Sequence, residues 1–449
     1  MTVLLISANT THTPHPVYPL GLDYVRGALT PRHEVRILDV NVAGALEQLE
    51  GLLRDDCPDV TGISIRNIDN VDALDARSYI SGYERIVRVV RECTRAPLVL
   101  GGSGFSIFPG ELMSLLDADF GVVGEGEAMA QLVDALEKGS DPALLHGIVT
   151  RGGPVGSPAP WTGAIARQLG PKDDRLGFYI DRGGILNLQT KRGCPYRCIY
   201  CTYPHIEGRR QRLFPPDDVA REARELQELG ARYLFITDST FNTDYDHSLA
   251  VAKAFRRRGV TIPWGAFLAP TRPPDGYYDT LTEAGLSHAE FGTETLCDPQ
   301  LKRYGKPFGV KEVFAAHQSA RRAGAHVAHY LLLGGPGEAP RTLEETMRHA
   351  EELDKAVLFA FCGIRIFPHT HLYEIALEEG QIRPDQDLLS PIFYRPRGIA
   401  LEEIAATVRK RARGRINWVC GGGGDQTQKV VSRMHARGHC GPLWELLLR

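Results

Sequence analysis

The sequence predicts an α/β protein built from two successive parallel-sheet domains. Three observations carry that prediction. Five short β-branched runs alternate with amphipathic stretches over the first 140 residues, a break rich in glycine and proline follows, and six further strand-like runs alternate with helical stretches over 186–395. The chain of 449 residues is about three times the usual single-domain length, so two or three cores have room to form. Its 43% hydrophobic and 24% charged residues exclude wholesale disorder. Fifty-two bases against 55 acids give a formal charge of -3, which offers no overall attraction to nucleic acid or to an anionic membrane. No stretch supplies 18 consecutive apolar residues and the opening has no charged n-region, so no membrane span is expected and a cytoplasmic setting is.

In chain order, the strand-like runs of residues 1–140 are VLLISAN, EVRILDV, VTGISI, APLVLGG and FGVVGEG. Between them, LGLDYVRGAL, VAGALEQLEGLLRD, SGYERIVRVVREC and AMAQLVDALEKG repeat apolar residues at threes and fours, as helices covering a sheet must. Five such units imply a doubly wound, Rossmann-like sheet. Ligands of these sheets bind beyond the carboxyl ends of the strands, where this chain places SIRN, GGSG and GEGE. Residues 141–185 read as a linker, rich in glycine and proline and ending near the charged PKDDRLG. ILNLQTKRG, RYLFITD, TIPWGAF, SHAEFGTE, HVAHYLLLGG and LFAFCGIRI then form a series over 186–395 that suits a partial TIM-like (β/α)6 barrel. Residues 396–449 look helical, with a run of glycines at 421–424, and the basic VRKRARGR reads as a solvated helix face.

Cys194, Cys198 and Cys201 stand in GCPYRCIYC, directly after ILNLQTK. CxxxCxxC on a loop lets three thiolates serve one soft-metal site and leaves a fourth position open. A zinc knuckle, with His205 as the nearest conventional fourth ligand, and incidental buried thiols are the competing readings of the spacing.

The motif resembles the hallmark of the radical S-adenosylmethionine (radical SAM) superfamily, CxxxCxφC, with Tyr200 at the aromatic position φ. The resemblance extends over roughly residues 186–395 and implies a [4Fe-4S] cluster held by Cys194, Cys198 and Cys201. It further implies that the open iron chelates S-adenosylmethionine, which is cleaved to a 5'-deoxyadenosyl radical. Carried over residue by residue, it puts Asp238 and Ser239 of FITDSTFN at the methionine amino group, although no literal GGE stands there. It puts Glu294 of EFGTET at the ribose or amino group, and Gly334, Gly335 and Pro336 of LLLGGPGE beside adenine. Arg303 and Arg365 become carboxylate partners. A strand-end cap is the competing reading of Asp238, and a solvated surface position that of each arginine.

A five-strand βα domain ahead of such a barrel looks like the cobalamin-binding domain of cobalamin-dependent radical SAM proteins. The resemblance implies cobalamin contacts at Tyr18 and Leu20 of YPLGL, at Ser64, Arg66 and Asn67 of SIRNIDN, and at Gly101, Gly102, Ser103 and Gly104. Gly124, Glu125, Gly126 and Glu127 of GEGE complete the set. The DxHxxG signature that ligates cobalt is absent; Arg66 in its place implies a lower face that disfavours an axial ligand. Glycine turns of a generic fold, and a salt-bridged loop arginine at 66, are the plainer alternatives.

The function so implied is methylation of an unactivated carbon of a biosynthetic intermediate through methylcobalamin. The protein would act as a monomer on a small-molecule substrate, with a flavodoxin- or ferredoxin-type reductant and no nucleic acid. A non-methylating cyclisation, rearrangement or ring contraction is the nearest rival; a cofactor-binding module without turnover is the rival of another class. A methylthiotransferase would need a second cysteine triad in the first domain, where only Cys57 and Cys93 occur. Tyr330, His369 and His371 lie near predicted strand ends and are candidates to meet substrate.

Overall fold

The computed structural model describes residues 1–12, 15–158, 160–163, 165–169, 174–422 and 424–448. The first sheet contains β1 (Thr2–Ser7), β2 (Glu34–Asp39), β3 (Val60–Ser64), β4 (Leu98–Gly101), β5 (Phe120–Val122) and β6 (Ile148–Thr150), in the order β2-β1-β3-β4-β5-β6. The first five are parallel and β6 closes the edge antiparallel to β5. Strand alternation splits the core in two: Val3 and Leu5 pack under helices Leu20–Leu29 and Met129–Lys138, while Leu4 and Ile6 face helices Ala45–Asp55 and Ile80–Cys93. The chain therefore winds both faces, and the order reverses between β1 and β3, the crevice where such sheets bind ligands.

The stretch expected as a linker contains β6 and helix Asp174–Asp181, so the first sheet extends to Thr150. Ile-Val-Thr is too short to stand out in a glycine-rich context, and the turn before it is fixed locally, with Ala143 N donating to Asp141 Oδ1 at 2.9 Å. Residues 159, 164 and 170–173 of that stretch, and Gly423 of the glycine run, lie outside the described residues.

The barrel sheet begins with β7 (Ile185–Leu188). A small antiparallel hairpin, β8 (Lys191–Arg192) and β9 (Arg212–Leu213), brackets the cysteine loop. The parallel series continues with β10 (Tyr233–Ile236), β11 (Trp264–Leu268), β12 (Leu286–Glu294), β13 (His326–Leu333) and β14 (Ala356–Cys362). A seventh strand, β15 (Trp418–Cys420), follows β14 at the edge, inside the region expected to be helical. Three residues leave no readable periodicity; β15 is held by pairing, with Leu358 N donating to Asn417 O at 2.9 Å and Gly421 N to Ala360 O at 2.7 Å. Outward residues such as Leu234, Ala289 and Leu358 pack beneath the covering helices in the largest core.

Eight histidines (His15, His33, His205, His247, His317, His329, His369 and His435) are held below their ordinary pKa of 6.5, each chiefly because burial disfavours the imidazolium. The unfolded chain takes up protons near pH 6.5 that the folded chain refuses, so stability is intact above that pH and falls as pH drops towards 4. The thermal midpoint is expected to be lower at pH 5 than at pH 7.5. His317→Gln, which removes a group pushed down to about 4, should shrink the difference; an unchanged difference would contradict the assignment.

Candidate active site

A cleft with about 1660 Å³ of empty space, part of it open to solvent, separates the carboxyl ends of the first sheet from the barrel. Tyr18, Leu20, Ser64, Arg66, Gly101, Gly102, Ser103, Gly124, Glu125, Gly126 and Glu127 all line it. Asn67 and Gly104 do not. The Asn67 carbonyl accepts the Tyr83 hydroxyl, and Gly104 N donates to Ile65 O at 2.9 Å at the start of a buried helical turn.

Sequence reasoning missed three groups of lining residues. Ser7 ends β1 and Asn9 follows it; Asn187, Gln189, Thr237 and Phe267 come from barrel strand ends; Tyr203, Ile206 and Glu207 follow the cysteines. The short SAN segment was the available signal for the first group. The others lie far along the chain and only the domain packing brings them in.

The cleft fits a large amide-bearing cofactor. A Cβ at Gly101 would meet nothing closer than Val122 at 3.9 Å, so the end of β4 leaves room beside its backbone, whereas Gly102, with φ of +98°, is glycine because a Cβ there would stand 2.5 Å from Ile65 O. Asn9 Nδ2 is buried with no hydrogen-bond partner among the described residues, a donor left for a ligand. The exposed Arg66 side chain forms no ion pair with a described residue, while its carbonyl accepts Ser103 Oγ at 2.8 Å. Arg66→Ala is expected to change the visible spectrum of bound cobalamin. An unchanged spectrum would remove Arg66 from the contact set.

Glu125 and Glu127 line the cleft, but their carboxylates are engaged by protein. Arg192 donates to Glu125 Oε2 at 2.8 Å and to Glu127 Oε1 at 2.6 Å, and Arg212 reaches Glu125 as well. Arg192 sits two residues before Cys194, so GEGE fastens the first domain to the base of the cysteine loop.

That loop is bounded by Cys194 N to Gly208 O at 3.1 Å and Ile199 N to Tyr304 O at 3.1 Å. Burial pushes the Cys201 thiol up to about 12, with the neighbouring Cys198 adding to the effect.

Tyr200 donates its hydroxyl to Glu294 Oε1 at 2.7 Å, and Lys306 Nζ donates to the same oxygen at 2.7 Å. Glu294 holds φ of +65° at a register shift of β12, a strained backbone of the kind that aims functional side chains. Burial alone would lower the Lys306 pKa; Glu294 and Cys198 outweigh it and keep the ammonium charged. Lys306 was missed, because nothing in LKRYGKPF marks one cation above its neighbours.

Other expected S-adenosylmethionine contacts take different roles. Asp238 is buried and accepts Thr190 N at 2.7 Å, Thr190 Oγ1 at 2.5 Å and Lys191 Nζ at 3.0 Å, which makes it the cap at the end of β7. Ser239 is half-buried beside it. Arg365 is buried and its guanidinium is occupied by Asp69, Ile366 O, Ile392 O and Leu388 O, so it joins the domains and has little capacity left for a cofactor carboxylate. Arg303 is exposed and donates to Gly337 O at 3.2 Å. Pro336 O accepts Gln300 Nε2 at 2.9 Å. A Cβ at Gly334 would stand 2.7 Å from Leu401, and one at Gly335 2.6 Å from Tyr304, so protein packing occupies the space beside these glycines. His369 stacks on His205 at 3.9 Å, and His371 is exposed and paired with Glu374.

Residues 6–133 match the B12 binding domain, and residues 188–350 match the radical SAM superfamily. The chain joins a B12-binding domain to a radical SAM domain. This radical SAM protein is 26% identical to tryptophan 2-C-methyltransferase of Streptomyces laurentii, over 84% of this chain and 75% of that one. It is 25% identical to cytidylyl-2-hydroxyethylphosphonate methyltransferase of Streptomyces wedmorensis, over 86% and 83%. A structure of the radical SAM methyltransferase TsrM from Kitasatospora setae, with tryptophan and a SAM analogue bound, superposes with a TM-score of 0.87 at 22% identity, over 99% of this chain and 97% of that. A second TsrM structure, holding cobalamin and a [4Fe-4S] cluster, gives 0.81 at 21% identity, over 97% and 99%. At these identities the superpositions establish the shared fold.

Proposed function

We propose that this radical SAM protein is a cobalamin-dependent methyltransferase acting on an unactivated carbon of a small biosynthetic molecule. One observation supports the reading above the rest: the cleft of the first domain and the cysteine loop open on the same space, since Gln189, Arg192, Tyr203, Ile206 and Glu207 line the cleft and flank Cys194–Cys201. Bound there, cobalamin would carry a methyl group and a [4Fe-4S] cluster would deliver an electron to S-adenosylmethionine. The protein's own part is positional. Cys194, Cys198 and Cys201 would ligate the cluster, the Tyr200–Glu294–Lys306 set holds a charged, oriented surface beside it, and the strand-end glycines open backbone to the corrin.

The relatives named as methyltransferases support methyl transfer over ring closure or rearrangement. An external one-electron donor of flavodoxin or ferredoxin type, a cytoplasmic setting and a monomeric chain belong to the same proposal. Exposed Arg197, within the cysteine loop, and Arg210, after it, form no ion pair with described residues and suit an acidic donor.

The test is anaerobic turnover of the loaded protein with methyl-labelled S-adenosylmethionine. Methylation is expected to give labelled product with S-adenosylhomocysteine and 5'-deoxyadenosine in equal amounts. Product without label would replace methylation with rearrangement or cyclisation.

A further inference from the structure

The barrel lumen holds a chain of contacts that the site described above does not use. Alternation along the strands turns Tyr233, Phe235, Phe267, His288, Glu290, Tyr330 and Phe359 inward. Phe267 is 40% exposed although it belongs to a central strand, and it lines the cofactor cleft, so the cleft reaches the lumen at this ring. Its neighbours form an aromatic wall. Phe235 meets Phe267 at 5.0 Å, Phe267 meets Tyr330 at 6.0 Å, and Tyr330 stacks on Phe359 at 4.9 Å and 16°.

The far end of this lumen is closed by the C-terminal tail. Trp444 packs on Ala328 and Val357 and sets its ring edge-on to His288 at 4.8 Å. Its indole N–H donates to Glu290 Oε1 at 3.0 Å, while Glu290 Oε2 accepts the Tyr330 hydroxyl at 2.8 Å. The next residue, Glu445, accepts His288 Nε2 at 3.0 Å, and the other ring nitrogen of His288 bonds Tyr233 at 2.9 Å. His288 and Glu290 of β12 therefore each make one hydrogen bond with the tail and one with a barrel tyrosine. Without the tail, a buried carboxylate oxygen of Glu290 would lose its partner.

We propose that Trp444 is a specificity-determining residue. It floors the lumen into a closed chamber, fixes Tyr330 in the aromatic wall through Glu290, and so selects a compact, ring-bearing substrate over an extended aliphatic one. The closed floor limits length. The edge and face contacts of the wall favour a flat aromatic group. The proposal deepens the methyltransferase reading but is tested by binding, so it fails independently of methyl transfer.

The experiment is equilibrium dialysis of the cofactor-loaded protein against labelled indole and, separately, labelled octanoate. The wild type should retain indole at least tenfold better than octanoate. Trp444→Ala should lose that ratio, by gaining octanoate and losing indole, at unchanged iron and cobalt content. Trp444→Phe, which keeps a ring and removes only the bond to Glu290, should fall between them and serves if the alanine variant does not fold. A merely structural role would lower both probes in parallel with iron content. Retention of the wild-type ratio in both variants, or no preference for indole in the wild type, overturns the proposal.

Discussion

Cys198→Ala is expected to yield a protein that folds and binds cobalamin but assembles no stable [4Fe-4S] cluster, with methyl transfer lost. Three thiolates are the minimum set on this loop. Even a change in the hydrogen-bonding shell of a metal ligand costs about 10–100-fold in affinity, and loss of a ligand exceeds that. Folding survives because Cys198 is only half-buried and the loop is held by backbone bonds that need no side chain, among them Cys194 N to Gly208 O and Ile199 N to Tyr304 O. Cobalamin binding survives because none of the three cysteines lines the cleft. Iron analysis and the visible spectrum check the first part, and labelled methyl transfer the second. A full complement of iron in the variant would exclude Cys198 as a ligand.

The second large effect is expected at Arg192. Its guanidinium is almost fully buried against the equally buried carboxylates of Glu125 and Glu127. Removing one partner of a buried ion pair leaves an uncompensated charge and costs about 3–5 kcal/mol. Arg192→Leu should therefore lower the free energy of unfolding, taken from urea titration, by an amount in that range, and it should also lower cobalt retained per chain, because GEGE lines the cofactor cleft. Arg212, which also reaches Glu125, limits the loss to part of the network. The triple variant with Glu125→Gln and Glu127→Gln should recover stability without recovering the same cobalt retention. A single variant as stable as the wild type would show that the clamp does not hold the domains together.

Much of the architecture was legible because it repeats. Short β-branched runs between stretches with apolar residues at threes and fours identify both sheets. β5 is only three residues but stands out as FGVVGEG in the βα series, whereas β6 and β15, equally short, escaped because their flanks are rich in glycine or charge and they are held by neighbours distant in sequence.

The candidate site divides along the same line. GGSG and GEGE were readable because a strand end followed by glycine marks the binding edge of a wound sheet, and most of those residues do line the cleft. What the pattern could not tell was which charged side chains remain free. Glu125, Glu127, Asp238 and Arg365 have the residue types of ligand contacts, yet each is occupied by a partner from another segment. Lys306 and Trp444 were invisible for the converse reason, since a single lysine in a basic stretch and one tryptophan near the chain end acquire meaning only through Glu294 and Glu290.

A chain that brings a cobalamin cleft and a three-cysteine loop to a common space should load both cofactors. The most direct measurement is anaerobic purification after reconstitution with iron, sulfide and cobalamin, followed by quantitation of all three and a visible spectrum. About four irons and four sulfides with about one cobalt per chain are predicted. Iron without cobalt would contradict the claim, reducing the first domain to another role and withdrawing methyl transfer with it.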